Sequence, residues 1–248
     1  MFKAMGIRTG LVLAVVLAVS GVVAQAASAC EVQNKTSKAK YTELQAAVNA
    51  AEAGQTLKVT GTCEGNTTVE KDLTIIGKSP EATTLKGTGS GSVVTIIGGV
   101  TVTVSKLTIT GGKASDGGGI YNEGTLTLSK ATVSGNTAEE GGGIFNEVAT
   151  VTLENSTVSG NTAVRGGGIY NYGGTATLNK ATVSGNTATA LGGGIYNLGT
   201  ATLNPKTKIT ENKASNKGGG IYDGKYAILV EAGGTVLGNT PENLYTQP

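Results

Sequence analysis

The chain alternates apolar and polar residues in short runs, and the runs repeat. Thr125-Leu126-Thr127-Leu128 puts every second side chain on one face, the pattern of a strand with one side buried. The phrase returns as ATVTLE at Ala149, GTATLN at Gly174 and Gly199, and YAILVE at Tyr226. Two other phrases keep the same pace. GGGIYN starts at Gly117, Gly166 and Gly192, with GGGIFN at Gly141 and GGGIYD at Gly218. KLTITGGKA from Lys106 is followed by KATVSGNTA from Lys130, NSTVSGNTA from Asn155 and KATVSGNTA from Lys180. Each unit of about 25 residues therefore holds three short extended segments separated by Gly, Asn and Ser. A helical repeat would need a 3.6-residue period and far less Gly, and a propeller blade four strands in ~40 residues. The pattern predicts one coil of a parallel β-helix per unit, about seven coils in all.

Stacking sets equivalent positions ~4.8 Å apart, so like side chains should queue along an axis. One interior column is Ile120, Ile144, Ile169, Ile195 and Ile221. Two more are Leu126, Val151, Ala176, Ala201 and Val133, Val158, Val183, Ile209. Asn136, Asn161, Asn186 and Asn212 recur at one turn and should form an amide ladder. Ahead of the repeats, Thr42-Glu43-Leu44-Gln45 reads as a capping box. It predicts an amphipathic N-terminal capping helix over 43–53, with Gly54 as its stop. Less regular coils run from Thr56 to Thr110. The end, GNTPENLYTQP, offers no comparable helix, and open strand edges invite end-to-end association.

Lys3 and Arg8, the apolar run Leu11–Ala24 and Ala27-Ser28-Ala29 fit a secretory signal peptide over 1–29. The run is short of the ~20 residues needed to span a membrane, so an anchor is the weaker reading. The remaining units are 30–55, the N-terminal segment and helix; 56–240, the β-helix; and 241–248, a tail. Without the leader, acidic and basic residues balance and no basic run survives. The sequence thus names no source for the counterion release that drives nucleic-acid binding. No integral membrane segment is expected in the mature chain. Cys30 and Cys63 are the only cysteines, and export favours their pairing, with a free or lipid-modified thiol as the alternative. Asn34, Asn66 and Asn155 begin glycosylation sequons, which matter only in a glycosylating host.

The unit V-S-G-N-T-A followed by G-G-G-I-Y-N resembles the polymorphic outer-membrane-protein repeats, within the pectin-lyase-like superfamily of right-handed β-helices. Val133-Ser134-Gly135-Asn136 stands for that family's F-x-x-N phrase, with Val for Phe. Gly117-Gly118-Gly119-Ile120 stands for its G-G-A-[IVL] phrase. The resemblance covers roughly Leu57 to Asn239 and implies an all-β, right-handed parallel β-helix solenoid. It also implies a surface protein, although the chain lacks the large C-terminal barrel of bacterial proteins that carry such repeats.

Candidate chemistry is sparse. There is no His, which removes the commonest general base. Polyuronate-cleaving relatives in the superfamily use calcium and a basic residue, and hydrolytic ones use clustered Asp. Asp72, Asp116 and Asp223 are far apart here, so no catalytic residue is assigned. Asp116, Glu139, Glu140 and Arg165 should share a column before the GGG corner, and Glu123 and Glu147 a second column. Calcium is a conceivable ligand of these carboxylates, otherwise no cofactor is expected. Tyr121, Phe145, Tyr170, Tyr196 and Tyr222 should form an outward aromatic column able to grip sugar faces or a protein, with Arg165 beside it. Four rungs carry two Thr each: Thr125 and Thr127, Thr150 and Thr152, Thr175 and Thr177, Thr200 and Thr202. They form a lattice whose spacing roughly matches that of ice. The leading expectation is a secreted or cell-surface, non-catalytic rod contacting cell-surface glycan or protein. The alternatives are a polysaccharide lyase or hydrolase, and an ice-binding protein.

Overall fold

The computed structural model describes residues 29–248, so the expected leader lies outside the described residues except for Ala29. From Gln55 onward the chain winds as a parallel β-solenoid. Strands such as Thr125–Ser129 follow from the alternation: Leu126 and Leu128 are buried while the Thr side chains face out. Each strand then pairs in parallel with its counterpart one coil away. Leu126 meets Val151, Val151 meets Ala176, and Ala176 meets Ala201. The Ile and Val columns hold their expected register too. Two walls form one 17-stranded sheet folded at a corner, and the GGGIYN strands form an eight-stranded third wall, giving about seven turns. The three interior columns are completely buried, so the core exists only because coils stack.

Two buried amide ladders run the length of the repeats. Asn161 shows the first in full: its Oδ1 accepts from Asn136 N and Asn136 Nδ2, both at 3.0 Å. Its Nδ2 donates to Val133 O and to Asn186 Oδ1, again at 3.0 Å. The ladder continues through Asn212 and Asn239 and closes on Asn243. The second ladder, unanticipated, uses the Asn of GGGIYN. Asn122, Asn146, Asn171 and Asn197 each donate to the next coil, and the last donates to Asp223 Oδ1 at 2.8 Å. A carboxylate has no amide hydrogens to satisfy, so it ends a ladder whose donors all point toward the C-terminal coils.

The N-terminal end differs from expectation in detail. Strands β1 (Glu31–Asn34) and β2 (Lys40–Tyr41) pair antiparallel, and β1 also pairs antiparallel with β3 (Gln55–Glu64). Helix α1 spans Leu44–Ala50, shorter than 43–53, and buries Leu44, Ala47 and Val48. The capping box does not form: Glu43 is the N-cap and makes no side-chain cap bond. Gln45 is drawn elsewhere, because its amide exchanges two hydrogen bonds with the Thr68 backbone, at 2.7 and 3.2 Å, and so laces the helix to the first coil. The helix stops at Ala51, ahead of Gly54. Cys30 and Cys63 are disulfide-bonded, tying β1 to β3. At the other end, segment 241–248 is no loose tail. Its strand Leu244–Thr246 pairs with Ile221–Asp223.

The segment before each GGG corner, which the sequence pattern left out of the three extended segments per unit, is a fourth strand. Lys113–Asp116, Thr137–Glu140, Thr162–Arg165, Thr187–Leu191 and Lys213–Ala214 form a five-stranded parallel sheet. The chain leaves the coil and returns at nearly the same place. A Cβ on Gly112 would lie 1.7 Å from Gly118 O, and one on Gly118 would lie 2.5 Å from Thr137 O in the next coil. Only glycine permits necks that narrow. The five excursions therefore stand off the solenoid as a fin.

Candidate functional site

The fin turns its last residues toward the GGGIYN wall. Asp116, Glu140, Arg165 and Leu191 are register partners, and Leu191 bridges to Lys217. One extra residue after Ala188 shifts the register, which brings Leu191 rather than Ala190 opposite Arg165. Glu139 sits one position away and is exposed, so it leaves the column in which the sequence placed it. Charge along this edge changes from acidic to basic. Arg165 Nη2 bonds Glu140 Oε1, while its Nε is buried with no partner.

Facing this edge is the aromatic column. Tyr121, Phe145, Tyr170, Tyr196 and Tyr222 are in register as expected, and Tyr245 extends the series. Successive ring centroids lie 5.6, 5.1, 4.7, 4.9 and 5.1 Å apart, some pairs stacked and others edge-on. Tyr172 adds a further edge contact to Tyr170. The column is not the open strip that outward-pointing residues would make. Phe145, Tyr170 and Tyr222 are at most 7% exposed, because the fin lies over the wall they project from. Burial pushes the Tyr170 phenol up to about 12 and raises Tyr196. At the far end Lys217 Nζ sits 4.1 Å over the Tyr245 ring and donates to its hydroxyl at 2.9 Å.

The groove opens at its N-terminal end. A cleft of about 690 Å³ lies between fin and wall, lined by Ser90, Ser92, Lys113, Asp116 and Tyr121 among others. Tyr121 stacks on Phe145 on one side only, since its other register neighbour is Thr95. Its hydroxyl donates to Glu147 and lies 3.3 Å from Glu123 Oε1. The two carboxylates expected to cradle calcium thus share a phenol, and burial together with them drives its ionisation far upward. Burial first, then Glu147 and Glu139, raise Asp116 above the usual aspartate range, with Arg165 opposing. Among the described residues no three His, Cys, Asp or Glu side chains converge as a metal site. Asp72 accepts from Thr101 N at 2.7 Å, and Asp223 closes the ladder at the far end, so neither joins Asp116.

Two further surfaces are regular. The Thr lattice has its eight expected members in register: Thr125, Thr150, Thr175 and Thr200 in one row, and Thr127, Thr152, Thr177 and Thr202 in the other. It gains a fifth rung, Thr101 and Thr103, on its N-terminal side. On the other side Thr200 meets Ile228 and Thr202 meets Val230, so the hydroxyl rows end there. At the corner between the Thr wall and the T-V-S wall, Lys106, Lys130, Asn155, Lys180 and Lys206 all have positive φ, from 49° to 69°. The repeat phrases contain these lysines, and their common corner becomes visible in the backbone.

The model for the Chlamydia polymorphic membrane protein repeat matches residues 180–198 and 206–223. Each matched stretch runs from the T-V-S wall through the fin to the GGGIY strand, so each covers three of the four strands of one coil. No curated protein and no solved structure matches the chain. No helix among the described residues is long and apolar enough to cross a membrane.

Proposed function

We propose that the protein is a non-catalytic binding rod, exported through its N-terminal leader and displayed at or near a cell surface, where the fin groove contacts glycan. The observation that carries this reading is the cleft at Tyr121. It combines a ring with one unstacked face, a carboxylate at Asp116, an ammonium at Lys113 and the hydroxyls of Ser90 and Ser92. Sugars present apolar C–H faces and dense hydroxyls, and such a mixed lining answers both. The repeat match and the unbroken stack of coils support a display role. The buried middle of the aromatic column serves as a spine that holds fin and wall together, and the two ends are left for contact. A glycan array probed with the parent, Tyr121→Ala and Asp116→Asn proteins tests the reading. Retention by the parent, weakened on the order of tenfold in both variants, is the expected result. Equal retention by all three removes the groove from the account. Release of unsaturated uronates from the same panel would replace it with the lyase alternative.

A second reading rests on the Thr lattice. Five in-register rungs, from Thr101 and Thr103 to Thr200 and Thr202, present ten hydroxyls at ~4.8 Å by ~6.7 Å, a repeat suited to ordered water at an ice surface. Faceted crystals and thermal hysteresis, lost in Thr152→Tyr, are expected if ice is the ligand. Smooth discs from the parent protein would end that reading.

A further inference from the structure

The corner lysines are placed where lysine is a poor choice. A left-handed backbone costs an L-residue with a Cβ roughly 1–2 kcal/mol, and Gly or Asn is favoured there. Asn155 occupies this position in one coil, so the fold accepts asparagine at the corner. Lys106, Lys130, Lys180 and Lys206 stand in the other four, and all are exposed. The corner backbone is laddered from coil to coil: Lys106 N donates to Ser129 O, Lys130 N to Glu154 O, and Asn155 N to Asn179 O. From Lys106 to Lys180 the corner positions therefore follow one another rung by rung, ~4.8 Å apart at the backbone with a gap at Asn155, and Lys206 takes the same corner in the next coil after the extra Pro205. Among the described residues none of the four is in an ion pair. Glu154, the carboxylate beside this corner, accepts from Asn179 Nδ2 at 2.6 Å instead. A line of like charges within one Debye length repels itself, so neither backbone preference nor electrostatics of the free protein explains it.

We infer that this ridge is a binding site for a linear polyanionic polysaccharide bearing carboxylate or sulfate groups. A single file of cations matches a polymer that carries charge on successive sugars. Hydroxyl rows flank the file, with Thr127 and Thr177 on one wall and Thr132 and Thr182 on the other, ready to bond sugar oxygens. Nucleic acid fits less well, because the aromatic column that could stack bases lies on the third wall. An anionic membrane also fits less well, because Pro205 is the one exposed apolar residue next to any of these lysines along the chain. The proposal deepens the glycan reading by adding a ligand class and a second surface, and depends on that reading only for polysaccharide being the partner.

The test is surface plasmon resonance of the full chain against alginate, dextran sulfate and unmodified dextran, in about 0.1 M and about 1 M salt. The key variant carries Lys106→Asn, Lys130→Asn, Lys180→Asn and Lys206→Asn together. Asparagine suits the backbone, so the variant should melt at or above the parental temperature while binding alginate and dextran sulfate on the order of tenfold more weakly or less. High salt should abolish parental binding, and unmodified dextran should not bind. Polyanion affinity unchanged in the folded quadruple variant, or equal binding of unmodified dextran, overturns the proposal. Tighter binding of duplex DNA or phosphatidylserine vesicles than of either polysaccharide overturns it as well. If the polyanions fail while the array still retains groove ligands, this inference alone falls. If both fail, the glycan reading falls with it.

Discussion

Replacing Asn161 by Ala should destabilise the solenoid far more than the loss of one side chain on a half-polar strand suggests. The amide is fully buried and makes four hydrogen bonds. Alanine leaves Asn136 N and one Asn136 Nδ2 hydrogen without an acceptor. Each buried orphan donor costs about 1–3 kcal/mol. The oxygens fare better, since Asn186 Oδ1 still accepts from the Asn161 backbone at 3.0 Å. The sum is about 4 kcal/mol, which at an m-value near 3 kcal/mol/M moves the urea midpoint down by about 1–2 M. Urea unfolding followed by circular dichroism measures it, with Ser159→Ala, an outward neighbour, as control. Asn161→Asp sharpens the test. The carboxylate keeps the acceptor but has no hydrogens for Val133 O and Asn186 Oδ1, so at neutral pH it should destabilise at least as much as alanine. Protonation restores one donor, so part of the loss should return in acid. An alanine variant within about 0.5 kcal/mol of the Ser159→Ala control refutes the ladder as a stabilising element.

Four other outcomes follow from the same geometry. Phe145→Ala empties a 5%-exposed site between fin and wall and should cost about 3–5 kcal/mol, read as a drop in melting temperature. Cys30→Ser with Cys63→Ser opens a 33-residue loop and should cost about 3–4 kcal/mol, with hydrogen exchange rising first in β1. Val148 has φ 47° and is 74% exposed, so Val148→Gly should leave stability unchanged or raise it by about 1 kcal/mol, a rare gain for removing a side chain. Burial raises the Asp223 carboxyl, so the folded state holds that proton more tightly than the unfolded chain. Its contribution is then greatest below the unfolded pKa and is lost as pH rises through the folded one, and Asp223→Asn should flatten that fall.

The sequence made the solenoid legible because period-2 alternation and the 24–26-residue repeat speak to the same stacking, so Ile120, Leu126 and Val133 each announce a column. What it hid are features that need a third dimension. The fin strand Thr137–Glu140 reads as a polar loop, since its pairing partners supply backbone rather than an apolar face. Once the fin stands over the third wall, the outward side of Phe145 and Tyr170 becomes an interior, and residues chosen as contacts become packing. The second amide ladder was in plain view as the last letter of GGGIYN, and only the register shows that Asn122 meets Asn146. Asp116 and Arg165 keep their place at the groove edge, while Glu139 turns away because successive strand residues point to opposite faces.

The lysine ridge shows why net charge is a poor guide to partners in a solenoid. Acidic and basic residues nearly balance over the chain, 17 against 19, and no run of lysines exists. Yet a repeat that places one lysine per coil at a fixed corner converts a spacing of 24 residues between Lys106 and Lys130 into one rung. Local charge density then depends on register, not on composition, and a neutral chain can carry a cationic edge. The same arithmetic acts on every surface column: two threonines per coil become a lattice, one carboxylate at the last coil becomes a ladder terminus. In such a fold a functional surface is written one residue per repeat. The place to look for it is where a column departs from what the backbone alone would choose, as lysine does at a left-handed corner.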